Sequence, residues 1–216
     1  MNEKFVINIG RQLGSGGREI GEKLASQFGI SFYDKELINI ASKESGLGKE
    51  FFEKVDEKES HSIIGGLLGL RTNVSHMYAN NYLSNETFFK IQSDVIRELA
   101  QEKSCVFVGR CADYILRDHT RSVNIFITAD TEDRVSRVVR DQHLTIEKAL
   151  EKIEKMDKKR AAYYNYFSNK AWGVAESYHL CINSSVLGVD DTVTFIRRFI
   201  EQKLEICPKS PSDKSE

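Results

Sequence analysis

Long apolar runs are missing from this sequence. No stretch approaches the roughly 20 apolar residues that a membrane-crossing helix needs. The polar start Met1-Asn2-Glu3-Lys4 leads into an apolar run too short for a signal-peptide core, so a cytoplasmic protein is expected. Charge of one sign is missing as well: 31 basic and 32 acidic residues leave a formal net charge of −1. That balance excludes a global attraction to nucleic acid or to an anionic membrane, so any anion site must come from a local cluster. Cysteine is sparse. The four thiols, Cys105, Cys111, Cys181 and Cys207, form no CxxC pair and no metal-ligand spacing with histidine. Three sit beside apolar strand-like runs, where cysteine acts as a small hydrophobic residue. The five histidines are scattered, so neither a metal centre nor histidine catalysis is expected.

What the chain does have is an alternation. At 216 residues, 40% of them apolar, it can bury one substantial core. Short β-branched and aromatic runs at 5–9, 30–33, 105–108, 123–128 and 180–183 alternate with helical patterns. This order predicts an α/β fold: a five-stranded parallel sheet flanked by helices and buried on both faces. Ile20, Leu24, Ala25 and Phe28 share one helical face, with Gly29 where a C-cap would lie. Ile91, Val95, Ile96 and Leu99 make a second stripe. Asp130 can cap a helix carrying Val135 and Val138, and Thr145 one carrying Ile146, Ala149, Leu150, Ile153 and Met156. A last helix is expected over 193–204. Two stretches break the rhythm: 42–84 reads as a helical insertion with flexible joints around Gly65-Gly66, and 155–172 is dense in charge and tyrosine. Residues 207–216 are short, polar and expected to be disordered, leaving 1–206 as a single domain.

The first strand is followed by Gly10-Arg11-Gln12-Leu13-Gly14-Ser15-Gly16-Gly17-Arg18-Glu19 and then a helix. Strand, glycine turn and helix N-terminus together make a phosphate site, because free amides and the helix dipole favour an anion. Gly14, Ser15, Gly16 and Gly17 are the residues expected around it. A plain glycine-rich turn is the simpler alternative. The dinucleotide fingerprint GxGxxG is another, with Asp34 at the ribose-binding distance, but Glu19 stands at its third glycine. The loop also departs from the regular Walker pattern: Gly17 occupies the lysine position, with Arg18 and Glu19 after it. Arg18 and Arg11 are the candidates for the missing positive charge. A side chain one residue further along a helix is rotated by about 100°, so Arg18 would approach differently.

Four segments in order, RQLGSGGREIGEKLA, FYDKELI, VFVGRCADYIL and the pair DKKRAAYYNYF with LCINSS, resemble the cytidylate kinase-like family. The resemblance runs from about residue 2 to 204. It implies a P-loop nucleoside-monophosphate kinase fold, with 42–84 as an acceptor-binding insertion and 155–172 as a lid. It further implies that Asp34 and Arg110 contact the acceptor. Cys111 departs from the family's Gly-Arg-Asp, leaving Asp113 as the nearest substitute. Lys158, Lys159 and above all Arg160 are implied as phosphate clamps, and Arg137 as a second clamp from a helix that carries Arg134, Arg137 and Arg140 on one face. The run Asn183-Ser184-Ser185 falls where such kinases hold the donor adenine. Asp34 can equally cap a helix over 35–42. Tyr163, Tyr164, Tyr166, Phe167 and Trp172 are expected mainly as packing.

The function that follows is ATP-dependent phosphoryl transfer to a nucleoside monophosphate such as CMP or dCMP. Arg18, Arg160 and Arg137 are the expected catalytic cations. Mg2+ would bridge the donor phosphates, with Ser15 or Glu19 reaching it through water. Two alternatives stay open: a regulatory nucleotide-binding protein, motivated by Gly17, and a kinase for another small acceptor, motivated by Cys111.

Overall fold

A computed structural model of the chain describes residues 3–34 and 75–206. The elements in order are β1 (Val6–Arg11), α1 (Gly17–Phe28), β2 (Ser31–Tyr33), α2 (Ser75–Glu102), β3 (Cys105–Val108) and α3 (Ala112–Ile115). Then come β4 (Ser122–Thr128), α4 (Thr131–Gln142), α5 (Ile146–Ser168), a 3-10 turn (Ala175–Ser177), β5 (Leu180–Asn183) and α6 (Ser184–Leu204). The strands form one five-stranded sheet, ordered β2-β3-β1-β4-β5, with every pairing parallel. This is the α/β architecture the alternation predicts. From central β1 the chain passes over to β2, returns at β3, and then places β4 on the other side. Ligands of such open sheets bind at this kind of crossing, outside the carboxyl ends of the strands.

The two-residue period of β1 divides the core. Ile7 and Ile9 pack with Ile20 and Leu24 of α1 and with Val193 and Ile196 of α6. Val6 faces the other side, among Val95 and Ile96 of α2, Phe107, and Ala112 of α3. Asn8 shares the Val6 face. Its side-chain amide donates to Ser122 Oγ at 3.1 Å and Asn124 Oδ1 at 2.9 Å. A third cluster joins α4 to α5 through Val138, Ala149 and Ile153, and Leu13 of the glycine loop packs against it.

Helix boundaries follow local chemistry in most places. Gly29 ends α1 in the left-handed conformation (φ 64°), and Thr145 caps α5 by accepting from the Lys148 amide at 3.3 Å. Asp130 does stand at the N-cap of α4, but its side chain makes no capping bond. Its carboxylate instead accepts from Asn183 Nδ2 at 2.8 Å, tying α4 to the end of β5. The last helix begins at Ser184 rather than 193, because α6 continues across a break at Gly188 (φ 72°). Ile146 and Leu150 are 63% and 43% exposed: of their stripe, Ala149 and Ile153 are the members that pack on α4. Cys181 is exposed because β5 is an edge strand, whereas Cys105 and Cys111 are buried. Residues 155–168 are the C-terminal part of one continuous α5. The expected insertion lies outside the described residues up to 74, as do the expected helix over 35–42, Cys207 and the tail; 75–84 begin α2. No helix among the described residues is long and apolar enough to cross a membrane.

Candidate active site

The glycine loop is held from outside by its carbonyls. Arg160 Nη1 donates to the Arg11 carbonyl at 3.0 Å, Arg134 Nε to Leu13 at 2.8 Å, Arg137 Nη1 to Gly14 at 3.0 Å, and Ser184 Oγ to Ser15 at 2.7 Å. Ser15 Oγ donates to the Gln12 carbonyl at 2.9 Å. In a trans peptide the N–H points opposite to the C=O. Pulling the Leu13 and Ser15 carbonyls outward therefore turns the Gly14 and Gly16 amides toward the interior of the loop. Neither amide has an acceptor among the described residues, and the Arg18 amide at the start of α1 has none within its helix. Free amides around a bend at a helix N-terminus form an anion-binding nest. Gly14 (φ 78°) and Gly16 (φ 74°) carry the left-handed turns this requires. A Cβ on Gly14 would also stand 2.5 Å from the Arg134 carbonyl oxygen.

Behind the loop, Asp157 holds the assembly together. Its Oδ1 accepts from the Leu13 amide at 2.9 Å, and its Oδ2 pairs with Arg134. Both side chains are largely buried. A buried guanidinium needs such a partner, since an unpaired charge out of water costs several kcal/mol, on the order of 3–5 when one partner is removed.

At the mouth of the loop, Arg11, Arg110 and Arg160 line one cleft with Gly109, Cys111, Asp113 and Tyr163. The turn after β3 is conformationally unusual, with Gly109, Arg110 and Cys111 all at positive φ (81°, 59° and 55°). Non-glycine residues pay about 1–2 kcal/mol for that conformation. Strain of this kind concentrates at functional sites. Gly109 is required for a second reason: a Cβ there would meet Arg11 Nη1 at 2.2 Å. Burial first, then the nearby Arg160, push the Arg11 guanidinium down to about 9, which Asp34 partly offsets; it stays protonated at neutral pH. Burial likewise lowers Arg160, opposed by Asp157 and Asp34. Asp34, at the end of β2, lies 3.6 Å from Arg11 and 3.1 Å from Arg18.

The inner wall of the cleft holds Tyr164, Trp172 and Tyr178 beside Asn8 and Asp113. Tyr164 donates to Asp113 Oδ2 at 2.7 Å. Burial raises the Asp113 carboxyl above its ordinary range, with the tyrosine bond opposing it. Burial also raises the Tyr164 and Tyr178 phenols, and the neighbouring Asp113 adds to both. Burial and the neighbouring Asp113 push the Cys111 thiol up, away from the thiolate form that reacts. Asn8 Oδ1 is buried without a hydrogen-bond partner among the described residues.

The sequence-predicted residues thus divide. Arg11, Gly14, Ser15, Gly16, Gly17, Arg110, Asp113, Arg137, Arg160 and Ser184 gather on the loop or its cleft. Arg18 is half-exposed and engaged by Asp34 and by Glu22 at 2.7 Å. Lys158 is exposed and paired with Glu154 at 2.5 Å, and Lys159 does not line the cleft. Arg140 pairs with Asp141 at 2.8 Å on the surface. Among the aromatics, Phe167 stacks on Phe89 with centroids 4.0 Å apart and Trp172 meets Phe126 edge-on at 5.0 Å, which is packing. Sequence reasoning missed Asp157 and the loop-holding role of Arg134. The only hint was their three-residue spacing from Arg160 and Arg137.

Comparison with known proteins agrees with this fold. The model of the cytidylate kinase-like family matches residues 6–186. A cytidylate kinase of Ignicoccus hospitalis is 23% identical over 198 residues, covering 90% of this chain and 98% of that protein. One of Methanopyrus kandleri is 23% identical over 213 residues, covering 93% and 95%. A crystal structure of an uncharacterized protein from Eubacterium ventriosum has a TM-score of 0.70 at 27% identity, covering 92% of this chain and 99% of that one. A shikimate kinase from Bacteroides thetaiotaomicron shares the fold at a TM-score of 0.52 and 13% identity, covering 94% and 99%. With the family model spanning β1 through the start of α6, the chain belongs to the cytidylate kinase-like family.

Proposed function

We propose that this protein is a kinase that moves the γ-phosphoryl group of ATP to a phosphorylated small-molecule acceptor, with CMP or dCMP as first candidate. The observation that carries this reading is the loop whose Gly14 and Gly16 amides turn inward, entered through Arg11, which lines a cleft with Arg110 and Arg160. Kinase names among the relatives and membership of the family support it.

In this reading the amides of Gly14, Gly16 and Arg18 hold donor phosphate oxygens. Arg11 and Arg160 neutralise charge on the transferred group, which is most of what phosphoryl transfer asks of a protein. Arg137, Ser15 and Ser184 keep the loop in shape. Arg110 takes the acceptor phosphate, for which a guanidinium at a strand end is well suited. Asp34 steadies Arg11, and Asp113 with Tyr164 faces the body of the acceptor. The acceptor's phosphate oxygen attacks the γ-phosphorus, the bond to the bridging β–γ oxygen breaks, and ADP leaves. An already ionised acceptor needs no general base. Mg2+, when bound, spreads the negative charge of the donor phosphates, which with water would supply its ligands. Glu19 is the acidic residue nearest the loop in sequence for its water shell.

The test is ADP release and label transfer from γ-labelled ATP to CMP, dCMP, UMP, AMP and non-nucleotide acceptors. Turnover with a pyrimidine monophosphate supports the full reading. Transfer only to a non-nucleotide removes CMP and keeps the kinase. ATP binding with no transfer to any acceptor replaces the enzyme with a nucleotide-binding regulator.

A further inference from the structure

We propose that Arg11 and Gly17 are an exchanged pair, in which Arg11 supplies the cation that phosphate-binding loops of the GxxxxGK[ST] pattern carry at the place of Gly17. In that pattern a glycine opens the loop and a lysine follows the last glycine. Here the same window reads Arg11-Gln12-Leu13-Gly14-Ser15-Gly16-Gly17-Arg18, with arginine at the opening position and glycine at the lysine position. The inference rests on the proposed phosphate role of the loop.

The exchange is spatial as well as linear. A Cβ on Gly17 would lie 2.6 Å from Arg11 Cβ and 3.1 Å from its Cγ. The two positions therefore share one volume, and only one of them can carry a side chain. The Arg11 guanidinium then runs on over Gly109, where a Cβ would meet Nη1 at 2.2 Å. Glycine at both 17 and 109 keeps the channel for this arginine open. Beyond it the guanidinium reaches the cleft shared with Arg110 and Arg160. Its nearest carboxylate, Asp34, lies 3.6 Å away and is also engaged by Arg18 at 3.1 Å. Crowded by like charge and short of counter-charge, Arg11 gains from an arriving polyphosphate. Arg18 has the opposite setting: half-exposed, held by two carboxylates, and lying over the Phe32 ring at 5.6 Å.

The experiment is calorimetric binding of ATP and of inorganic tripolyphosphate to the full chain and to Arg11→Gly, Arg11→Lys, Gly17→Lys and the double variant Arg11→Gly/Gly17→Lys. Thermal melts check folding. Loss of a charge-assisted phosphate contact predicts ~10–100-fold weaker tripolyphosphate binding for Arg11→Gly. Gly17→Lys alone should also bind poorly, because the lysine meets Arg11. The double variant should recover at least about tenfold over Arg11→Gly. Binding by Arg11→Gly equal to wild type, or a folded double variant no tighter than Arg11→Gly, overturns the exchange. If the Gly17→Lys proteins do not fold, Arg11→Lys decides: it should bind more tightly than Arg11→Gly, and equal binding overturns the proposal. Wild-type protein that binds tripolyphosphate but transfers nothing from ATP ends the kinase reading and leaves the exchange standing. Wild-type protein that binds neither probe ends the exchange.

Discussion

Replacing Asp157 by asparagine should destabilise the protein well beyond an ordinary surface change. The Arg134 and Asp157 side chains are 9% and 15% exposed, so the pair sits largely out of water. Asp157 also accepts from the Leu13 amide at 2.9 Å and lies 3.8 Å from Arg160. Removing one partner of a buried pair costs about 3–5 kcal/mol, because the other charge stays behind uncompensated. Asparagine keeps an oxygen that can still accept one bond, worth about 1 kcal/mol, so a net loss of about 2–4 kcal/mol is expected. For a chain of this size that is a fall in Tm of roughly 5–15 °C. Urea denaturation with constant m-value measures it. In a double-mutant cycle, Arg134→Met should cost much less in the Asp157→Asn background than in wild type. A single-variant loss under about 1 kcal/mol, or full additivity in the cycle, would refute the idea that this pair anchors the glycine loop.

Three further outcomes follow from the same geometry. Gly14→Ala should lower stability by at least ~1–2 kcal/mol from its left-handed φ alone, and the contact with the Arg134 carbonyl should abolish tripolyphosphate binding in calorimetry; unchanged binding would contradict the loop geometry. Arg18→Ala should cost less than about 1 kcal/mol in urea denaturation, since its ion pairs are exposed on one side; a larger loss would mean that its contacts to Asp34 and Glu22 matter more than exposure suggests. The third concerns pH. Asp113 is raised by burial above its ordinary value of 3.8. The folded protein therefore binds that proton more readily than the unfolded chain. Its stabilising contribution is complete below the ordinary value and is lost as pH rises through the folded one. Asp113→Asn should remove this loss, so the variant gains on wild type as pH rises above the ordinary value of 3.8. Parallel stability curves in urea would count against it.

The sheet was legible because strands of a parallel sheet covered by helices are largely apolar, even at the edge strand β5, where Cys181 is exposed. The runs at 105–108 and 180–183 coincide with β3 and β5. β1 runs on to Arg11, past the apolar run, because Gly10 and Arg11 pair with Phe126 and Ile127 of β4, and pairing overrides the poor strand propensity of glycine. The glycine loop was readable from its strand, its turn residues and its helix. The devices that hold it were not. The Arg134 and Asp157 partners stand 23 residues apart on two helices, and no spacing rule links them before the α4–α5 hairpin folds back on Leu13. The relation between Arg11 and Gly17 is equally invisible in a line of letters, since it depends on two Cβ positions meeting across the bend. Charge density in 155–172 pointed to three cations, yet helical geometry brings only Arg160 to the cleft.

The most direct test of the account is the amide spectrum of the loop. In 15N-labelled protein titrated with ATP, the Gly14 and Gly16 N–H resonances should move strongly downfield together, as amides that gain a phosphate acceptor do. If both stay in place while ATP binds elsewhere on the protein, the loop does not hold phosphate and the kinase reading falls.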